Sequence, residues 1–165
     1  MSETLQSATP RKLFNRETKG MVLAPVTVQI ERGRIAFFTQ VLGERDPLFT
    51  DPTAARAMGH PDIAAPPSFY MVVEALANDE LNRTGRKSAA ELAGCDFRYL
   101  LHGEEHYTYE GLIYAGDTVS LTTTIFDFYE KKVGLLEFVT FESVIAHAKR
   151  GVLVRTKRTF LHRFG

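Results

Sequence analysis

The chain has 165 residues, of which 44% are hydrophobic and 24% are charged. This length supports one domain with a core of ordinary size, and this balance excludes a disordered chain. The 20 basic residues equal the 20 acidic residues in number, so the formal net charge is zero. Binding to nucleic acid or to an anionic membrane requires a concentrated positive field, and we therefore expect neither as a partner.

Cysteine and histidine usage limits the chemistry further. Cys95 is the single cysteine, so an intramolecular disulfide is excluded, and its apolar neighbours predict a small core residue rather than a nucleophile. The 5 histidines show no metal-ligand spacing, so we expect no metal and no other cofactor. Residues 1–20 contain no apolar signal segment, and no apolar run is long enough to cross a bilayer. These features predict a cytoplasmic protein.

The N-terminal part of the chain divides into an arm and a first strand. Residues 1–20 are expected to form a flexible arm, and residues 21–165 are expected to form the folded domain. The segment MVLAPVTVQI alternates β-branched residues with others, which predicts a strand with Val26, Val28 and Ile30 on one face.

Two helices are predicted after this strand. Ile35, Phe38 and Leu42 recur at helical spacing, and Gly43 stands where helices often end in a left-handed residue. Asp51 supplies an N-cap acceptor directly before a proline, which predicts the start of a second, short helix. The acidic residues of VLGERDPLFTD, between these helices, belong either to a site for acid–base chemistry or to caps and surface charges near helix ends.

The segment SFYMVVEALANDELNRTG predicts the longest helix of the chain. Phe69, Val72, Val73 and Leu76 form a stripe at helical spacing, and further apolar residues occupy most of the other faces. A helix that is apolar on nearly all sides is expected to be buried. Only its polar end, from Asn78 onward, is expected to reach solvent.

The remainder of the chain is rich in Thr, Val, Tyr and Phe and is divided by glycine-containing turns. It predicts about five strands, in the segments CDFRYLL, EHYTYEGLIY, TVSLTTTIFDFYE, LLEFVTFESVIAH and VLVRTKRTFLHR. One strand, then helices, then strands favour an α+β fold in which an antiparallel sheet wraps around one long central helix. This arrangement is a single hot-dog domain with additional short N-terminal helices.

Three segments resemble one known family in order and spacing. They are IERGRIAFFTQVLGERDPLFTDPTAARAMGHPDIAAPPSFYMVV, LLHGEEHYTYEGLIYAGDTVSL and FDFYEKKVGLLEFVTFESV. The chain resembles the MaoC-like hot-dog hydratases and dehydratases, in the branch that includes the N-terminal domain of fatty-acid-synthase-type dehydratases and the non-catalytic subunits of hydroxyacyl-ACP dehydratases. The resemblance begins at about Val26, and it implies the hot-dog fold and a role in the hydration or dehydration of acyl thioesters.

The resemblance extends to the family's catalytic loop, where the two catalytic positions differ. Active members resemble one another in a loop Gly-Asp-x-Asn-Pro-(aliphatic)-His, whose Asp and His hold the reacting water and serve as base and acid. Here Glu44 lies at the position of the Asp, Asp46 at that of the Asn and Phe49 at that of the His. The additional methylene group of glutamate displaces the base, and phenylalanine cannot exchange a proton. The catalytic pair is therefore incomplete.

The turn into the central helix also lacks a group that active members of the family use in catalysis. Active members have a glycine whose backbone N–H donates to the thioester oxygen, whereas Pro66 and Pro67 occupy the corresponding His and Gly positions here. Proline has no N–H, and losing one such donor typically costs about 100- to 1,000-fold in rate. The amide or hydroxyl of Ser68 could stand in. The resemblance implies that Phe49, Pro67, Ser68 and Phe69 contribute to an acyl-chain tunnel.

These departures predict a subunit of a (3R)-hydroxyacyl-thioester dehydratase or enoyl-thioester hydratase that shapes the acyl tunnel without the complete catalytic pair. The expected ligand is an acyl-CoA or acyl-ACP thioester, and the activity of the chain alone is left open. The expected partner is a second copy or a catalytically complete hot-dog subunit, because joining two sheets edge to edge covers exposed strand edges.

Three alternatives remain open from the sequence. One is a self-sufficient enoyl-CoA hydratase that uses Glu44 or Asp46, with His60 in place of the missing imidazole. Another is an acyl-CoA thioesterase in which Glu74, a carboxylate within an apolar helix, activates water. A third is a module that binds acyl thioesters without an enzymatic partner.

Overall fold

The computed structural model describes residues 12–132 and 135–163. Within them a 3₁₀ turn precedes the helices α1 to α5 and the strands β1 to β5. The helices are α1 (Arg32–Leu42), α2 (Pro47–Thr50), α3 (Pro52–Ala57), α4 (Tyr70–Arg83) and α5 (Ala89–Leu92). The strands are β1 (Val26–Gln29), β2 (Leu100–Tyr109), β3 (Thr118–Lys131), β4 (Leu136–His147) and β5 (Gly151–Arg163). No helix in the described ranges has both the length and the apolar character of a membrane span.

Antiparallel pairing joins the strands into one sheet with the order β1-β3-β4-β5-β2. The central helix α4 packs against this sheet. Its buried side chains Tyr70, Val73, Ala77 and Leu81 recur every three or four residues and share one core with side chains of β1, β3, β4 and β5. The predicted α+β hot-dog fold is confirmed.

The predictions for the first strand and the first helices are also confirmed. Val26, Val28 and Ile30 are buried in the same core as α4. Helix α1 ends at Gly43, whose φ of 68° lies in the left-handed region. Asp51 caps α3, because its carboxylate accepts a hydrogen bond from the backbone of the first helical turn.

The central helix is less buried than its sequence predicts. Met71 is 38% exposed, and Val72 and Leu76 are only partly buried. The sheet covers one face of α4, but an open groove of about 470 Å³ separates another face from α1. Phe37 of α1, which lines this groove, is 69% exposed. An apolar helix face therefore does not guarantee a covering element within the same chain.

Among the described residues, the C-terminal part of the chain forms four strands where the sequence predicts about five. The predicted strands CDFRYLL and EHYTYEGLIY correspond to one strand, β2, which has an irregularity between His102 and Glu104. Gly103 permits the close approach of β5 there, because a Cβ atom would lie 3.0 Å from the carbonyl oxygen of Thr159. A glycine in mid-strand resembles a turn in the sequence, so one strand is predicted as two.

A second hydrophobic cluster joins the N-terminal segment to β4 and β5. Phe14 is 6% exposed and stacks on the ring of His162, with the ring centroids 4.1 Å apart. The buried carboxylate of Glu137 accepts a hydrogen bond from the backbone of this segment at 3.1 Å. Phe14 thus anchors residues 12–20 of the expected arm to the sheet. Residues 1–11 of that arm lie outside the described residues.

Cys95 packs against this second cluster. Burial raises the pKa of its thiol to about 12, so the thiol stays protonated at neutral pH. These properties agree with the predicted role as a small core residue.

Candidate functional site

The loop between α1 and α3 holds two of the predicted site carboxylates. The carboxylate of Glu44 accepts hydrogen bonds from the backbone N–H groups of Arg45 at 2.7 Å and Asp46 at 2.9 Å. The carboxylate of Asp46 accepts a hydrogen bond from the backbone N–H of Leu48 at 2.8 Å and caps α2. Both carboxylates therefore stabilise the turn and the start of a helix.

An apolar cleft of about 120 Å³ lies beside this loop, between the start of α4 and the end of β2. Phe49, Pro67 and Phe69, three of the side chains predicted to contact an acyl chain, line it together. Among the described residues, the lining contains two tyrosines but no carboxylate and no imidazole. The lining consists of Phe49, Ala65, Pro66, Pro67, Phe69, Tyr70, Tyr109, Gly111, Leu112, Ile113 and Val154.

Ser68, the remaining predicted contact, lies in a strained turn directly before α4. Its φ of 70° is in the left-handed region, which residues other than glycine rarely adopt. Its backbone N–H donates to the hydroxyl oxygen of Tyr109 at 3.2 Å, and its own hydroxyl donates to the carbonyl oxygen of Pro67 at 2.5 Å. Both groups that could stand in for the missing glycine N–H therefore have partners within the protein.

Sequence reasoning missed Tyr109. This residue lies on β2 two positions after Tyr107, and the two rings stack with their centroids 6.2 Å apart. Alternate residues of a strand point to the same face, so the two tyrosines of HYTYE are a signal that the sequence does contain. Nothing in the pattern indicates that this face meets Ser68, which is 41 positions away.

His60, the predicted substitute for the missing imidazole, contacts another part of the molecule. Its Nδ1 lies 2.9 Å from the hydroxyl oxygen of Tyr114. It is not part of the cleft lining that contains Phe49. No group of three His, Cys, Asp or Glu side chains in the described ranges is arranged to hold a metal ion.

The buried carboxylate of Asp62 holds the loop that leads into the cleft. It accepts hydrogen bonds from Arg32 of α1 at 2.6 and 3.0 Å and from Arg56 of α3 at 2.9 Å. The hydrogen bonds from Arg32 are the largest cause that lowers the pKa of Asp62 to about 2, although burial opposes this shift. Asp62 thereby fixes the approach to Pro66 and Pro67 relative to both helices.

A second buried charge cluster connects α4 to the sheet. The guanidinium of Arg158 contacts the carboxylate of Glu74, and its Nε lies 2.8 Å from Oε1 of Glu105 as an ion pair without hydrogen-bond alignment. The hydroxyl of Tyr107 donates to Oε2 of Glu105 at 2.6 Å. Burial opposes the charge of the guanidinium, but the surrounding carboxylates raise the pKa of Arg158. The carboxylate that appeared costly within an apolar helix therefore has a structural partner.

Comparison of the sequence with known families and proteins identifies a matching family model and several relatives. The family model "FAS1-like, dehydratase domain region" matches residues 17–157. A UPF0336 protein of Clavibacter michiganensis subsp. michiganensis is 34% identical over 112 residues, which cover 67% of this chain and 71% of that protein.

Solved structures with similar folds include two complexes from Mycobacterium tuberculosis. A chain of the C-terminally truncated HadBC (3R-hydroxyacyl-ACP dehydratase) complex has a TM-score of 0.67 and 14% identity, over 87% of this chain and 96% of that chain. A chain of the ChsH1-ChsH2 complex has a TM-score of 0.62 and 18% identity, over 87% of this chain and 89% of that chain. At these identities the likeness shows the fold alone. The chain belongs to the FAS1-like dehydratase domain region family and has the MaoC-like hot-dog fold.

Proposed function

We propose that this chain is the non-catalytic subunit of a (3R)-hydroxyacyl-thioester dehydratase or enoyl-thioester hydratase and binds part of the acyl chain. Membership of a dehydratase family supports the reaction class. The proposal depends most on the lining of the cleft, which includes Phe49 and Pro67. By the resemblance described above, active relatives have a catalytic imidazole and a backbone N–H donor at these two positions.

The chemistry of the reaction supports a non-catalytic role. Hydration of an enoyl thioester needs a base for the water, an acid for C2 and a donor for the carbonyl oxygen. Within the described lining, no carboxylate or imidazole supplies the first two. Glu44 and Asp46 are engaged by backbone N–H groups of their own turn.

The size and polarity of the cleft suit an alkyl segment. Its volume of about 120 Å³ is below the roughly 300–1,000 Å³ of typical small-molecule sites. It therefore accommodates part of an acyl group rather than a whole acyl-CoA or acyl-ACP thioester. The remaining part of the ligand would lie against a partner subunit.

The open edge of β2 supports a hot-dog partner. β2 pairs with β5 on one side, and its other side is an edge of the sheet. Large apolar side chains beside this edge are exposed, Phe97 by 73% and Leu101 by 49%. In our proposal a hot-dog subunit with the intact Asp/His loop joins its sheet to this edge and supplies the acid and the base. The HadBC and ChsH1-ChsH2 structures are complexes, which supports an assembly of this kind.

Enoyl-thioester hydration tests the proposal. The loss of conjugated absorbance from short and long enoyl-CoA probes would be measured with the purified chain, alone and with a hot-dog chain that carries the intact loop. We expect turnover only in the mixture, and the variant Glu44→Ala should support the same turnover there. Turnover by the chain alone that disappears in Glu44→Ala or Asp46→Asn would contradict the proposal and indicate a self-sufficient hydratase.

Release of free thiol from acyl-CoA tests the thioesterase alternative. We expect no release by the purified chain, because Glu74 is held in an ion pair with Arg158. Thiol release that is lost in Glu74→Gln would show that this carboxylate acts as a base.

A further inference from the structure

Tyr109 places a hydroxyl group at the wall of the apolar cleft. The residue is 50% exposed and lines the cleft, and its ring is held by stacking on Tyr107. The other hydroxyl of the described lining belongs to Tyr70, which is 2% exposed and donates to Glu74 at 3.4 Å. Tyr109 therefore offers the hydroxyl that a ligand in the cleft can reach.

The hydrogen bond from Ser68 orients this hydroxyl. The backbone N–H of Ser68 donates to the oxygen of Tyr109 at 3.2 Å, and the described residues supply no further hydrogen bond to that oxygen. Because the oxygen acts as an acceptor, its own proton is free to donate. Accepting one hydrogen bond also polarises the hydroxyl and strengthens it as a donor.

The backbone of Ser68 holds this orientation against a conformational cost. Its φ of 70° is unfavourable for any residue with a Cβ atom and would cost little at a glycine. Such strained residues persist only where the surrounding structure fixes them, and they concentrate at ligand sites. Here the strained residue is the one whose N–H meets Tyr109.

The charge of the cleft restricts the ligand group that this donor can meet. The described lining contains no lysine, arginine or histidine, so a carboxylate in the cleft would be desolvated without a cation. A neutral carbonyl oxygen needs only a donor. We propose that the hydroxyl of Tyr109 donates to the carbonyl oxygen of an acyl thioester whose alkyl chain lies in the cleft. This inference rests on the proposed function and adds the group that distinguishes a thioester from a ligand without a carbonyl.

Isothermal titration calorimetry of the full chain tests the inference with two ligands. They are butyryl-CoA and S-butyl-CoA, a thioether that lacks the carbonyl oxygen. The wild type should bind butyryl-CoA more tightly. Tyr109→Phe keeps the ring and removes the hydroxyl, so it should weaken butyryl-CoA binding about three- to tenfold and leave S-butyl-CoA binding unchanged. Tyr129→Phe is the matched control, because Tyr129 lies on β3 outside the cleft, and it should change neither affinity.

Each other result would overturn the inference in a distinct way. Equal affinity of the wild type for the two ligands would show, without any variant, that the carbonyl is not recognised. If Tyr109→Phe bound butyryl-CoA as tightly as the wild type, the hydroxyl would have no part in recognising the ligand. If the variant bound both ligands more weakly to the same degree, Tyr109 would act through packing and not through the carbonyl oxygen. These three results leave the proposed function intact. Binding of neither ligand by the wild type would overturn the inference for this chain, whereas the proposed function, in which part of the ligand lies against a partner subunit, is tested separately by the hydration assay.

Discussion

The carboxylate of Glu74 on α4 contacts the guanidinium of Arg158 on β5, whose side chain is only 5% exposed. The two residues are 84 positions apart in sequence, and their contact joins the central helix to the sheet. A buried charge is costly without a partner, so each residue makes the burial of the other tolerable. This pair therefore joins the central helix to the sheet by charge as well as by apolar packing.

Removing the charge of Glu74 should therefore destabilise the fold. We expect Glu74→Gln to lower the free energy of unfolding by about 1–3 kcal/mol, because Arg158 would keep Glu105 as its only carboxylate partner among the described residues. Urea denaturation measures this loss. Glu80→Gln on the same helix is the control, because its partner Arg83 is 72% exposed and such pairs contribute little. Equal losses in the two variants would contradict this account.

The stability of the protein should fall in mild acid because of His162. This side chain is 0% exposed, and burial lowers the pKa of its imidazole below the usual 6.5, although Glu137 and Asp96 oppose the shift. The native state therefore favours the neutral ring, whereas the unfolded chain is protonated more readily. The contribution of the neutral His162 ring to the free energy of unfolding is complete above pH 6.5. It is lost as the pH falls below that value, because the unfolded chain then binds a proton more readily than the native state.

The urea midpoint of the wild type should accordingly be lower at about pH 5.5 than at about pH 7.5. His162→Gln removes the titrating ring and should flatten this dependence. His102→Gln is the control, because the side chain of His102 is 63% exposed, and it should keep the wild-type slope. A wild-type slope retained in His162→Gln would assign the acid sensitivity to other groups.

Gly94 allows the N-terminal segment to pack closely against the part of the chain that precedes β2. A Cβ atom at this position would lie 2.6 Å from the carbonyl oxygen of Leu13, and the φ of Gly94 is 78°. Gly94→Ala should therefore lower the free energy of unfolding by about 2–4 kcal/mol. Gly59→Ala, at a φ of 89° with no atom within 4 Å of the added Cβ, should cost about 1 kcal/mol in the same urea titration. Equal costs would show that backbone conformation alone matters at Gly94.

Relief of the strained turn before α4 should stabilise the protein. Ser68→Gly keeps the backbone N–H that meets Tyr109 and removes the penalty of a φ of 70°. We expect the free energy of unfolding to rise by about 0.5–1 kcal/mol, since the flexibility of glycine in the unfolded chain offsets part of the gain. A thermal melt measures it, and a lower melting temperature would mean that the Ser68 hydroxyl contributes more than the strain costs.

The sequence predicts those parts of the fold that depend on periodicity and on capping residues. Val26 and Val28 alternate into the core, and Gly43 ends α1 as its position indicates. Helices α2 and α5 are missed because each has four residues, too few to show a helical period. Ser88 and Glu91 nevertheless form the capping box of α5, so its S-x-x-E spacing is a usable signal.

The candidate site is predicted less completely because it depends on contacts between distant segments. The resemblance identifies Phe49, Pro67 and Phe69, and the structure brings these three side chains to one cleft. The hydrogen bond between Ser68 and Tyr109 joins a helix start to a strand end, and no local pattern encodes that meeting. The motif therefore points to three residues of the cleft lining, but the contact between Ser68 and Tyr109 requires the tertiary structure.

Two adjacent glutamates, Glu104 and Glu105, lie in the middle of the open edge strand β2. If a second copy of the chain added to this strand antiparallel and centred on it, two-fold symmetry would set one of these glutamates opposite its own counterpart. Like charges directly opposite each other destabilise a strand pair. A different chain with lysine or arginine at that point would meet attraction instead. At Glu104 such a centred pairing would therefore oppose self-association and would suit an unlike neighbour better, whereas Arg158 already offsets the charge of Glu105.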